Sequence, residues 1–370
     1  MDPIIAATHA DPYPYPYYAS LRAAGGFAFD QDLGLWVASS ARAVAAVLAH
    51  ADCRVRPAHE PVPAAIAQGE AGQVFARLMR MNEGEPHRCP RSAMAPALER
   101  VDTGQVSERV RARLITANAE GLHQAMFMGP VWVVAALLGF APAEGRTLSQ
   151  LTADFVACLS PLSTAAQLVA AHQAAEQLKG YFLERLSAKA PQSPLLESLS
   201  QGLPDREVLL ANLIGLLSQT YEASAGLIGN AVLALNREPG LWREAGRVDE
   251  LVAEVQRFDP PVQNTRRFVS APCEIEGVRL TPGDTVLLLL ASANRDPLLN
   301  PHPDRFVLER PARCSLSFGA GRHRCPGQAL AMSIASATLR ELLAHQKHFS
   351  QLAWHYRPSL NGRIPLFSEK

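Results

Sequence analysis

The stretch that most restricts how this chain folds is REVLLANLIGLLSQTYEASAGLIGNAVLALN, an apolar run without proline that begins at Arg206. With Asp205 as its cap, the spacing predicts one helix from Arg206 to about Asn236, roughly 45 Å long and able to cross a whole domain. Apolar residues face nearly every direction, so the helix belongs at the centre with other elements packed around it. Its middle breaks the pattern with Ser218, Gln219, Thr220, Tyr221, Glu222 and Ser224. Polar groups taken out of water cost free energy unless they are bonded or used, which makes this segment a site candidate.

Composition allows such a core. Of 370 residues, 48% are apolar and 19% charged, unlike a disordered chain. A formal net charge of zero argues against general attraction to nucleic acid or to an anionic membrane. The opening MDPIIAATHADPYPYPYYASLRAAGG has no basic segment followed by an apolar one, so neither signal peptide nor membrane anchor is expected and the location predicted is the cytoplasm. Cys53, Cys89, Cys158, Cys273, Cys314 and Cys325 form no C-x-x-C pair and no cluster with zinc-site spacing, and read as reduced, independent thiols. No repeat, long linker or low-complexity tract divides the sequence, so residues 1–370 are expected to form one domain.

Along the chain, DPYPYPYY is too rich in proline for a helix start and reads as an extended arm, followed by a short helix at Ala19 to Ala24. Phe27 to Phe29 and Leu35 to Val37 read as a hairpin, and Ser40 caps an alanine-rich helix ending near His50. Residues 54–80 read as a loop with one short helix. In EPHRCPRSAMAPALE, His87 and Arg91 share a helix face, and Pro90 suggests a first turn. From Gln105 to Lys189 the spacing is mostly helical, with Met126 and Met128 as core filler. Glu254 and Arg257 lie one turn apart on a helix that stops before Pro260. Strands follow at Thr265 to Val269, Cys273 to Ile275, Val278 to Leu280 and Thr285 to Ala291, and again around Leu352 and Leu366.

Chemistry concentrates at Ser317 to Ala331, SFGAGRHRCPGQALA. Glycines let the backbone point N–H groups at one spot, and a helix read from Pro326 adds positive partial charge there. Both lower the pKa expected of Cys325. Such a thiolate is a nucleophile or a metal ligand. His323 is the only nearby base, which makes a weak dyad. A lone thiolate can instead be the axial ligand of haem iron, with cationic neighbours left for the haem carboxylates.

The pattern F-G-x-G-x-H-x-C-x-G, filled by Phe318, Gly319, Gly321, His323, Cys325 and Gly327, resembles the haem-binding loop of the cytochrome P-450 family. The resemblance implies a mainly α fold with small β-sheets (α+β), in which haem b lies between the central helix and the cysteine loop. It implies Cys325 as axial ligand and His87, Arg91, Arg267 and His323 as propionate partners. The order E-x-x-R, strands, A-N-R-D-P, P-x-R-F and haem loop is similar across residues 254–327, with Arg305 at the position that locks the Glu254–Arg257 pair. Aligned through LIGN, the family's A-G-x-[DE]-T segment becomes Gln219 to Ala223: the acid is Glu222, the glycine has become Thr220 and the threonine Ala223. Ser224 is rotated about 100° from Ala223 and should point away, whereas Thr220 lies within about 60° of that face. Proton delivery is then expected through Thr220, ordered water or a substrate hydroxyl.

The activity so implied is an O2-dependent monooxygenase acting on a medium-sized organic molecule in bacterial secondary metabolism. Its electrons would come from a ferredoxin or flavodoxin-type donor attracted by Arg322 and Arg324. A peroxide-driven enzyme and a haem-binding protein without oxidase activity are the alternatives. Pocket walls are expected from residues 60–80, Leu159 to Ala165, Leu216 to Glu222, Val262 to Thr265, and Leu360 with Asn361.

Overall fold

The computed structural model describes residues 14–112, 118–189, 191–238, 240–241, 246–345, 349 and 351–370. Its axis is the central helix, Arg206–Arg237, capped where Asp205 Oδ1 accepts from Val208 N at 3.0 Å. Around it pack helices Glu70–Arg77, Gly129–Leu137, Gly145–Ala157, Ala165–Ser187 and Gln328–His345. One half of the central helix, with Leu210, Leu213, Ile214 and Leu217, buries itself in one apolar cluster; the other, with Ile228, Ala231, Val232 and Leu235, enters a second. Gly226 admits Pro261 so closely that a Cβ there would lie 2.5 Å from the proline, which brings the strand entry at residues 262–265 against this helix.

Four strands from both ends of the chain and one short strand between them build the main sheet, in the order β1 (Phe27–Asp30), β2 (Leu35–Ala38), β7 (Thr285–Leu288), β4 (Thr265–Val269), β3 (Cys53–Arg54). The expected hairpin forms with Phe27 opposite Ala38, and β2 then runs parallel to β7 with Trp36 opposite Val286. Two-stranded sheets pair β5 (Cys273–Ile275) with β6 (Val278–Leu280), and β8 (Ala353–Tyr356) with β9 (Pro365–Ser368). Ser40 Oγ caps helix Ala41–Ala49 through Ala43 N, as its position predicts. Among the described residues no helix is long and apolar enough to cross a membrane.

Several expectations change. The N-terminal arm is helical over Tyr15–Ala23, Asp11 to Tyr13 lying outside the described residues. Pro14 caps and Pro16 sits in the first turn, where the missing N–H has no intrahelical partner to lose. Tertiary bonding adds to this, since the Tyr15 hydroxyl donates to Asp259 at 2.7 Å. Helix Glu85–Glu99 carries Pro90 in its interior, not its first turn; Pro86 holds the N-terminal position, and buried Pro90 is tolerated against the core. The strand at Thr285 stops at Leu288, and Leu290–Asn294 turns helical to bury Ser292 and Asn294. Met126 is core, within a π-helical turn at Gln124–Met128.

Candidate functional site

Gly319 (φ 70°) and Gly321 (φ 63°) occupy the left-handed region and turn the cysteine loop twice. Phe318 O accepts from Cys325 N at 2.9 Å, closing the loop beneath the sulfur, and the helix behind begins at Gln328, two residues after Pro326. The expected lowering of the thiol pKa does not hold. Burial raises the pKa of Cys325, outweighing the Gly327 N–H and the charges of Arg91, Arg80 and Arg324. A sulfur so placed is neutral by itself and becomes a thiolate where a metal cation compensates. His323 does not serve it as a base: its Nε2 lies 3.0 Å from Glu83 Oε2, and no hydrogen bond joins it to Cys325 among the described residues. The ligand reading therefore fits better than the nucleophile.

Beside the loop, basic side chains from three segments converge. His87 is 3% exposed and its ring lies 4.2 Å, centroid to centroid, from that of His323. Arg91 Nη1 donates to Arg324 O at 2.7 Å, and buried Arg267 donates to its neighbour's carbonyl, Arg266 O, at 2.8 Å. Arg322 Nε donates to Glu83 Oε2 at 3.0 Å. A cleft of about 630 Å³ opens among Arg54, Glu83, His87, Arg88, Arg91 and Arg322. Burial would raise the Glu83 pKa, but hydrogen bonds and charge from His323 and Arg322 hold it at about 2. Burial, with the charges of His323 and Arg91, lowers His87 to about 4. One carboxylate faces several cations, so the donor set fits a group that brings its own carboxylates together with an iron for the sulfur, as haem does.

Two residues here escape sequence reasoning. Glu83 carries no motif, although it stands four residues before His87. Arg80 is a lone cation in the apolar LMRM, exposed to solvent, and the charges of Cys325 and Glu222 both act on it, so it lies within electrostatic reach of the loop and the central helix.

On the central helix the α pattern continues unbroken through Gln219 to Ser224. Ser224 turns into the core at 3% exposed, as helix geometry predicts, while Thr220, Glu222 and Ala223 stay half-buried. Thr220 Oγ1 donates to Leu216 O at 2.7 Å. Glu222 Oε1 accepts from Arg357 Nη2 at 2.7 Å, tying the acid to the chain just after β8. Expected pocket walls come together where Gln263 N donates to Asn361 O at 2.8 Å and Asn264 Nδ2 to Leu360 O at 3.0 Å. Val62, Leu159, Leu216 and Tyr221 pack, partly buried, on one apolar cluster.

The loop is braced from behind. Arg257 and Glu254, both 0% exposed, form a two-pronged pair through Nε to Oε2 at 3.1 Å and Nη2 to Oε1 at 2.7 Å. Arg305 is not the arginine that locks it and contributes only its carbonyl, to Arg257 Nη2. Arg310 Nε and Arg313 Nε donate to Glu254 at 3.2 and 2.9 Å instead, because the meander folds back by a further turn before reaching the acid. Asn294 Oδ1 accepts from Leu316 N at 2.7 Å and its Nδ2 donates to Ser317 Oγ, which in turn donates to Gln256 O. Helix Val248–Phe258 thereby holds the first residues of the cysteine loop.

Known proteins resemble this chain in sequence and fold. The cytochrome P450 family model matches residues 248–351. A putative cytochrome P450 133B1 from Xylella fastidiosa is 34% identical over 241 residues, covering 61% of this chain and 59% of the relative. Protein DesVIII from Streptomyces venezuelae is 31% identical across 98% of this chain and 89% of its own. The crystal structure of P450BioI in complex with a hexadecenoic acid-ligated acyl carrier protein superposes with a TM-score of 0.80 at 25% identity, over 96% of this chain and 97% of that one. With its helical body, small sheets and cysteine loop set among cations, the chain belongs to the cytochrome P450 family, and it is a haem-binding monooxygenase of small organic substrates.

Proposed function

We propose that Cys325 is the axial thiolate and that His87, Arg91, Arg267 and His323 bind the haem propionates, with Phe318, Gly319 and Gly327 shaping the loop. The observation that carries this is a half-buried sulfur in a braced loop beside a surplus of cations. When bound, haem supplies the redox chemistry that turns dioxygen into an oxidant of C–H bonds. The chain's own part on the opposite side is proton handling. Glu222, half-buried and paired with Arg357, is the acid on that side. Thr220 already donates to Leu216 O and must release that bond before its hydroxyl can donate toward the substrate space. Ala223 contributes no hydroxyl, so ordered water or a substrate hydroxyl completes the route.

The substrate is a medium-sized organic molecule of bacterial secondary metabolism, met free or on a carrier protein. The P450BioI complex with a carrier-bound fatty acid supports the second form. Electrons come from a ferredoxin or flavodoxin-type donor. Arg324, exposed beside the loop, suits an acidic carrier, whereas Arg322 is turned inward onto Glu83 and the His50 carbonyl. The protein works as one domain in the cytoplasm. Purified protein should give the family's thiolate-type Soret band in its reduced carbon monoxide complex, and Cys325→Ser should abolish it while leaving the far-UV spectrum unchanged. A retained thiolate band in that variant refutes the ligand assignment. A peroxide-driven reaction is the second reading, favoured by the tied Thr220 hydroxyl and by Ala223. Turnover with peroxide alone, compared with ferredoxin and NAD(P)H, separates the two.

A further inference from the structure

Cys53 and Cys273 do not behave as the independent cysteines expected from their spacing. Each offers a sulfur, and His50 a ring nitrogen, and these three atoms lie within 4.8 Å of one another. The residues reach the spot from separate segments: His50 follows helix Ala41–Ala49, Cys53 opens β3 and Cys273 opens β5. We propose that His50, Cys53 and Cys273 form a second metal site, remote in chemistry from the haem, that binds one zinc ion through two thiolates and an imidazole.

The donor set is soft and borderline, which favours zinc over magnesium or calcium. A tetrahedral zinc about 2.3 Å from sulfur and about 2.0 Å from nitrogen sets its ligand atoms roughly 3.5–3.8 Å apart. The three atoms therefore need to close by only about 1 Å. Cys53 is 1% exposed, while His50 and Cys273 are half-buried, so solvent can supply a water as fourth ligand. The backbone under the ligands is fixed. Arg322 donates to His50 O, Ala51 O and Cys53 O at 3.0, 3.1 and 3.3 Å, and Ser270 N donates to Asp52 O at 2.9 Å.

Charges of both signs face the site, Arg267 and Arg322 near Cys53 and Asp52 and Asp284 near Cys273. Burial pushes the Cys53 thiol up to about 12, with the Cys273 sulfur adding to the rise and the Arg267 and Arg322 charges opposing it. Burial also raises Cys273, against the opposing hydrogen bond with Cys53, and the Asp52 and Asp284 carboxylates lie close enough to raise it further. Both thiols therefore stay protonated until a cation arrives; binding breaks two S–H bonds, forms two Zn–S bonds and releases two protons to solvent. Because Arg322 also holds Glu83, the same ion would stiffen the segment on which the cysteine loop rests.

The test uses reduced, haem-loaded protein dialysed against equimolar zinc, with bound zinc counted by elemental analysis. Wild type should retain one zinc per chain beyond its iron. Cys53→Ser and Cys273→Ser should each weaken binding roughly a hundredfold, and His50→Ala about tenfold. Zinc should also protect half-buried Cys273, but not exposed Cys89 and Cys314, from alkylation read by mass spectrometry. Soret and far-UV spectra show that each variant folds, and half-buried Cys273 gives a second variant should buried Cys53 not tolerate serine. Equal zinc in wild type and all three variants, loss only on replacing Cys89 and Cys314, or a Cys53–Cys273 disulfide in protein that binds no zinc when reduced would each overturn the assignment.

Discussion

Glu254→Gln tests the brace behind the cysteine loop. The carboxylate is 0% exposed and accepts from Arg257 twice, from Arg310, from Arg313 and, at 3.1 Å, from Val307 N. Burial alone would raise its pKa; hydrogen bonds and charge from Arg257, the Val307 N–H and Arg313 hold it below the usual range. Glutamine keeps the shape but removes the charge, and its amide turns a donor toward donors. Arg257, 0% exposed, is left as an uncompensated buried cation. Losing one partner of such a pair costs about 3–5 kcal/mol, roughly two to nearly four orders of magnitude in the unfolding constant. That is a large part of the ~5–15 kcal/mol of a typical domain.

Urea unfolding of the holoenzyme, followed by far-UV circular dichroism and Soret absorbance, should show this loss. Arg340→Ala, which removes the exposed pair with Asp249, should cost less than about 1 kcal/mol. The sign with pH is fixed: a carboxyl depressed in the folded state stabilises above its unfolded pKa of about 4.3 and loses that contribution as pH falls through its folded value. The gap between wild type and Glu254→Gln should hold from neutral pH to about 5 and narrow below about 4. A variant within about 1 kcal/mol of wild type at neutral pH refutes the brace.

Thr220→Ala should slow substrate oxidation and raise the fraction of electrons lost to peroxide; unchanged rate and coupling would exclude the hydroxyl from proton delivery. Asp259→Asn leaves Arg363, 0% exposed, without the carboxylate it contacts at 2.8 Å, and should cost about 3 kcal/mol in urea unfolding. Because His87 is lowered to about 4 by burial and neighbouring cations, the folded haem-free protein resists a proton that the unfolded chain accepts near 6.5. Apoprotein stability should therefore fall from pH 6.5 toward 4, and His87→Gln should flatten that part of the profile.

Local signals placed the central helix to within a residue, since Asp205 caps it and its apolar pattern runs to the end. The hairpin, the strands of the late sheet and the cysteine loop were equally legible, each marked by turn residues or a spaced motif. What escaped depends on distant partners. Proline argued against a helix at Tyr15, while the bond from its hydroxyl to Asp259 spans 244 positions. The locking arginines are Arg310 and Arg313 because of how the meander folds, which spacing alone does not encode. Glu83 and the pairing of Cys53 with Cys273 depend likewise on segments meeting in space.

The parallel pairing of β2 with β7 has a consequence for synthesis. Trp36 waits for Val286 across 250 residues of chain, about 12–50 s at ribosomal rates of roughly 5–20 residues per second. During that interval β2 presents an open edge, and the segment His50 to Cys53 lacks the arginine that later clamps it, Arg322. The seat of the cysteine loop is thus finished only when nearly the whole polypeptide has emerged. Early segments of this protein must tolerate a long unpaired life, and a nascent chain stalled before residue 286 would expose the same edge to its neighbours.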